Sequence, residues 1–232
     1  TKESAMIKSA IATASLFFFS GCSNDDVSDT TTKLSIAESS IHSRAKVTIA
    51  DSKGNEFSLN EARVALRHIQ FDEIGDNSYE ISGPFVVDLL TGISTPEIIS
   101  TDIPAGEYSR IDVRIDDTDE DFIKINSDDP LFEYSLYAKG TFGDSESFEL
   151  KLKFNEDARF DFETPYSITA ETDNQFNLSL NISEWFSEID LSDCLSEHED
   201  GKTLLISDED GTCPDVEGDL KTAIKTMYDF DK

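Results

Sequence analysis

The chain has 232 residues, 49 of them acidic and 19 basic, for a formal net charge of −30. A surface this acidic repels phosphate backbones and anionic lipid head groups, which excludes a nucleic-acid-binding role. A hydrophobic content of 38%, including 16 Phe, is enough for a real core, and the length allows one large or two small domains.

The N-terminal element is a targeting segment. Lys8 is followed by an apolar run from Ala10 to Phe19 and then by the small residues Ser20 and Gly21 before Cys22. These are the three parts of a secretory signal, and Met6 reads as its start. The run is about ten residues long, about half of what a bilayer-spanning helix needs. The stretch Phe19-Ser20-Gly21-Cys22 resembles a bacterial lipobox, although Phe19 stands where Leu is commoner. The resemblance implies residues 1–21 as a signal peptide, cleavage just before Cys22, and a diacylglyceryl group on the Cys22 sulfur. Acyl chains contribute about 0.8 kcal/mol per buried methylene, so two or more anchor a protein stably. Ser23 follows the cysteine where an Asp often marks inner-membrane retention in Gram-negative lipoproteins. Its identity favours the outer membrane.

With Cys22 assigned to lipid, Cys194 and Cys213 remain as an even pair, and an exported chain can oxidise them. Closing that loop would stabilise the fold by about 3 kcal/mol in the chain-entropy picture. Zinc is disfavoured, because the two cysteines are far apart and His198 is the only histidine near them.

Residues 22–32 are polar and short of large apolar side chains, so they read as a tether. Ten extended residues span at most about 35 Å. From Lys33 onward the pattern is strand after strand. Val47 and Ile49 alternate with polar neighbours, and Asp51–Asn55, with Gly54, reads as a turn. Val64 and Leu66 set one phase and Ile69 and Phe71 the other, which predicts a β-bulge near His68. Phe85–Leu90 is a dense apolar run. Ile111, Val113 and Ile115 alternate with charged residues. Phe132, Tyr134 and Leu136 alternate with polar residues too, as do Phe148, Leu150, Leu152 and Phe154, then Phe176, Leu178, Leu180 and Ile182. Period two with one apolar face marks half-buried antiparallel strands, and about seven of them predict a β-sandwich over residues 33–190. Beyond it, 191–232 reads as an extension packed on the sandwich. Residues 183–190 predict a helical turn that plugs an open end with Trp185 and Phe186. Leu204–Ile206 reads as a short strand. Val216, Leu220, Ile224 and Met227 (or Tyr228) recur at helical spacing over about 215–228, with Pro214 near the start.

Two stretches carry a family resemblance. Val87-Asp88-Leu89-Leu90, then Ile103-Pro104-Ala105-Gly106-Glu107-Tyr108, leads into Ile111-Asp112-Val113-Arg114-Ile115. This is similar to an uncharacterised family of bacterial lipoprotein domains with a "DLL", "IPAG-x-Y", "IRL-x-V" succession, over about residues 33–182. The resemblance implies a prealbumin-like sandwich and brings no catalytic residues. Physically, Pro104 ends a strand, Gly106 permits a tight turn and Tyr108 returns to the core, where its hydroxyl can anchor the corner.

Little in the chain points to catalysis. His42, His68 and His198 lie in separate segments, and no nucleophile elbow, phosphate loop or zinc-protease motif is present. Calcium is the one cofactor candidate, since Asp208, Asp210, Thr212, Asp215 and Asp219 cluster oxygen ligands about Gly211. The loop departs from the EF-hand pattern at Thr212 and at Asp219, and an acidic loop stapled by Cys194 and Cys213 is the simpler reading. Asp116, Asp117, Asp119 and Asp121 form a second acidic cluster that reads as a solvated strand-end loop. The sequence therefore predicts a non-enzymatic, lipid-anchored envelope module with a protein or glycan partner. The alternatives are a calcium-dependent adhesive module and a glycan-binding module; the latter would need Trp185 or tyrosines lining a groove.

Overall fold

The computed structural model describes residues 32–37, 47–98, 103–122, 125–169, 174–207, 213 and 216–226. In chain order the strands are β1 (Thr32–Ala37), β2 (Val47–Ala50), β3 (Glu56–Glu73), β4 (Ser78–Asp88), β5 (Ser94–Thr95) and β6 (Gly106–Ile115). They continue with β7 (Leu136–Phe142), β8 (Glu146–Leu152), β9 (Glu156–Ile168), β10 (Asn174–Ser179) and β11 (Leu204–Ile206). Helices α1 (Ile182–Ser187) and α2 (Ser192–Ser196) precede β11, and α3 (Val216–Thr226) follows it. The protein is mostly β: one open mixed sheet with three helices, and a separate parallel pair of β1 with β10.

β3 organises the sheet. Its first half pairs with β2 and with β7, and its second half with β4 and with β6. β8 extends one wing beyond β7, and β11 lies parallel to β8 at the edge. β9 extends the other wing beyond β6. A strand of 18 residues can serve two wings because it is bent by bulges, where an extra residue raises the local twist. The register shifts between Leu59 and Glu61, between Leu66 and His68, and between Asp72 and Glu73. The second is the bulge that the phase slip predicts.

Each shift faces a glycine on a partner strand. A Cβ on Gly140 would collide with the Ser58 carbonyl, and one on Gly83 would lie 2.5 Å from the Arg67 carbonyl. A Cβ on Gly106 would lie 2.6 Å from Glu73 Oε1. That oxygen ends a flexible side chain, so this contact is softer than the two against backbone; Gly106 opens β6 without a positive φ, and the tight-turn reading is corrected. Tyr108 does return to the core: it is fully buried, its hydroxyl donates to the Pro104 carbonyl at 2.8 Å, and its ring meets Phe71 edge-on. Burial first, then the nearby Glu73 and Tyr79, pushes its pKa up to about 12.

The inner faces of both wings share one core. Phe57, Leu59, Val64, Leu66, Ile69 and Phe71 of β3 belong to it together with inward residues of β4, β6, β7, β8 and β9. The C-terminal elements close it. Trp185 and Phe186 of α1 and Leu220 and Ile224 of α3 are buried in the same cluster. α1 starts where Asn181 accepts the Ser183 amide at 3.1 Å, a side-chain N-cap. The β2–β3 turn is tied to this end through Asp51. Its carboxylate is 4% exposed yet accepts from the Lys53, Asn55 and Leu191 amides and from Asn55 Nδ2. A buried carboxylate is tolerable only when so satisfied.

Two further expectations are corrected, and one strand is added. Phe132 and Tyr134 are not in a strand: the chain turns there, with Glu133 at φ 67°, and β7 begins at Leu136. Period two over three residues is too short to separate a strand from a turn. The run Phe176–Ile182 splits, because Asn181 caps a helix that begins at Ile182. β9 has no clear signature in the sequence, since its burial alternates only over Ala158 and Phe160 and then fades through Phe162–Pro165, where the register with β6 shifts.

Candidate functional site

The residues singled out from sequence fall in different places. Cys22, Asp208, Asp210, Thr212 and Asp215 lie outside the described residues. Asp219 is in the first turn of α3. Cys194, in α2, and Cys213 lie at disulfide distance, with Cα atoms 5.1 Å apart. Trp185 is 1% exposed and belongs to the core, so it offers no platform to a sugar. His198 packs edge-on against Phe142, with Nε2 3.7 Å from Glu146 Oε2. Among the described residues no group of three or more His, Cys, Asp or Glu is placed to hold a metal, and no helix is long and apolar enough to cross a membrane.

The structure instead brings together a site on the outer face of the sheet. Ala65, Val86 and Tyr137 face outward from β3, β4 and β7, so this patch is apolar on the side away from the main core. The connection between β6 and β7, described at 116–122 and 125–135, folds over it and buries Phe122 and Leu131 against these residues. The connection is closed on itself by Thr118, whose hydroxyl donates to the Leu131 carbonyl at 2.6 Å.

Two arginines on the outward positions of β3 hold this cover in place. Arg63 donates from both terminal nitrogens to Asp129, at 3.0 and 2.8 Å, and its Nε lies 2.8 Å from Glu61 Oε1. Its guanidinium also sits over the Tyr137 ring. Arg67 donates to Asp119 at 2.9 Å and to the Asp117 carbonyl at 3.3 Å, lies 3.5 Å from Asp116, and stacks 4.8 Å over Phe122. A planar fork that both pairs and stacks is what arginine offers over lysine. The cluster Asp116–Asp121 is thus a braced cover, not the freely solvated loop that the sequence suggests.

The titrations follow this geometry. Burial opposes ionisation of Asp129, but the Arg63 hydrogen bonds, the Leu131 amide and the Arg63 charge outweigh it and hold the carboxyl below its ordinary range. The Arg67 hydrogen bond lowers Asp119. Asp116 moves the other way, raised first by burial and then by its contact with Asp117.

Beside the braced cover runs a cleft of about 360 Å3, between the β4–β5 turn and the β6–β7 connection. Val86, Ile93 and Ile125 form its apolar walls, and Arg63, Asp88 and Asp129 its polar ones. Asp88 of the "DLL" stretch shapes the turn: its Oδ1 accepts the Leu90 amide at 2.8 Å and the Thr91 amide at 3.2 Å. A second cleft, about 260 Å3, lies over β7 and β8; its cation, Lys139, is already paired with Glu61 at 2.7 Å. The first cleft is the better candidate because it is larger and sets three aliphatic side chains beside two carboxylates.

Sequence reasoning missed Arg63, Arg67, Phe122 and Asp129 as a unit. The available signal was the loss of alternation at Val64-Ala65-Leu66 and Phe85-Val86-Val87, which marks strands covered on both faces.

Comparison with protein-family models, curated proteins and solved structures finds no match to this chain.

Proposed function

We propose that this chain is a lipid-anchored protein of the bacterial cell envelope that works as a non-enzymatic binding or structural module. The observation that carries the reading is the lipobox-like Phe19-Ser20-Gly21-Cys22 behind a short apolar run. The Cys194–Cys213 pair at disulfide distance supports it, because disulfides persist in oxidising, exported compartments. The polar stretch before β1 suits a tether, and Ser23 favours the outer membrane. We also infer that the curled sheet is a prealbumin-like sandwich and that the chain is kin to the lipoprotein domains it resembles. The apolar faces of two wings turned to one core support the first, and the Tyr108–Pro104 corner supports the second.

The anchor is tested by expressing the protein and Cys22→Ala in a bacterial host fed a clickable fatty acid, followed by membrane fractionation. The wild type is expected to carry label and to sediment with membranes, and the variant to lose both. Undiminished membrane retention of Cys22→Ala overturns the anchor.

A further inference from the structure

The cleft beside the β6–β7 connection selects an occupant by three features. Its apolar rim is open to solvent: Ile93 is 66% exposed, one of two large exposed apolar side chains among the described residues, while Val86 lies buried beneath it. Such a side chain at the rim of a concave site is suited to cover an aliphatic surface. Its charge is negative. Asp88 and Asp129 stand against Arg63, two carboxylates to one guanidinium, while the adjoining Glu61 is balanced by Lys139. Arg63 is committed to Asp129 through both terminal nitrogens and lies against Glu61, so its charge is already balanced. Asp88 spends only Oδ1 on the turn amides, which leaves Oδ2 for a donor from outside. Finally, among the described residues no aromatic side chain lines the cleft, so these residues give a sugar ring no stacking platform.

We propose that the cleft receives a lysine or arginine side chain presented by a partner protein. The aliphatic stem lies along Ile93, Val86 and Ile125, and the cationic end meets Asp88, with the Thr91 and Thr95 hydroxyls beside it. Long cationic side chains bury their stems in this way while the charge stays at the polar rim. The field of a chain with net charge −30 draws a basic partner in and raises its association rate. The proposal rests on the binding-module reading above and names the partner's chemistry.

The test is fluorescence anisotropy of a dye-labelled peptide, acetyl-Gly-Ser-Lys-Ser-Gly, titrated with the full-length protein in detergent micelles. The same peptide with norleucine or acetyl-lysine in place of lysine is expected to bind at least about tenfold more weakly, a loss equivalent to about 1.4 kcal/mol. Asp88→Asn keeps the oxygen that caps the turn, and Ile93→Ser alters an exposed position. Each is expected to weaken the lysine peptide by about fivefold, the scale of a rim ion pair for Asp88 and of a partly covered apolar side chain for Ile93. The first changes the net charge by one and the second not at all, so attraction to the general acidic field would survive both. Equal affinity of wild type and both variants therefore overturns the proposal. So does binding of a neutral oligosaccharide, cellohexaose, that is lost in the same variants. The outcome is independent of the anchor: a protein held by membranes that ignores the peptide overturns the cleft assignment alone. One that binds the peptide but is retained without Cys22 overturns the anchor alone.

Discussion

The outer surface of the sheet is built in two different ways on the two wings. Over Ala65, Val86 and Tyr137 the outward residues are apolar, and a long connection folds across them. On β6 and β9 the outward residues are charged and form a lateral ladder. Asp72 pairs with Arg110, Arg110 with Asp112, Asp112 with Arg159, and Arg114 with Asp157. The ladder pairs its charges side by side and reaches the solvent boundary, where Arg159 is about half exposed. The contrast shows what decides whether a strand face acquires a second layer. Apolar outward residues gain by recruiting cover, whereas paired charges would lose solvation if covered. The same arginine chemistry thus serves two ends: Arg63 and Arg67 fasten a cover, and Arg110 and Arg159 take the place of one.

Substitutions on the two wings should separate these roles. The largest effect is expected from Phe122→Ala, which empties the space under the cover and removes the surface on which Arg67 stacks. It should cost about 3 kcal/mol in chemical denaturation and make the β6–β7 connection the first site of proteolysis. A change below 0.5 kcal/mol, by the same measure of significance that surface sites set, would mean that the cover contributes nothing to folding. Arg63→Ala comes next, at about 2 kcal/mol, because it strands a partly buried Asp129 carboxylate. Its peptide-bond protection from hydrogen exchange should fall in the connection and not in β6 or β9.

The pH dependence sharpens the contrast further. Asp129 and Asp119 are held below their unfolded value, so the stability they contribute is full above about pH 4 and is lost as pH falls through their folded values. Asp116, raised, runs the opposite way: its contribution is full at low pH and declines as pH rises through its folded value, which offsets part of the change. The net expectation is a cover that loosens below about pH 4, with a smaller acid response in Asp129→Asn; identical acid profiles for the variant and wild type would count against the Arg63–Asp129 brace. The smallest effect belongs to the ladder. Arg159→Ala should change stability by no more than about 0.5 kcal/mol, as exposed ion pairs do. A loss of several times that would show that the two wings are not built differently after all.

The sequence by itself determined the local elements wherever burial is one-sided or evenly spaced. Ile111–Ile115 reads as β6 because one face meets the core and the other meets water. Leu204–Ile206, Trp185 and Phe186, and the Val216, Leu220 and Ile224 spacing read correctly for the same reason. The bulge near His68 was legible because a bulge shifts the phase of a period-two pattern. Tertiary structure alone decided what depends on residues far apart in the chain. Gly140 and Gly83 make sense only against the bulges of β3, and Asp51 only against Leu191. The bracing of Asp129 by Arg63 spans 66 residues. Period and composition record whether a side chain is buried, but not which distant charge meets it, and the cleft at Asp88 is made of such meetings.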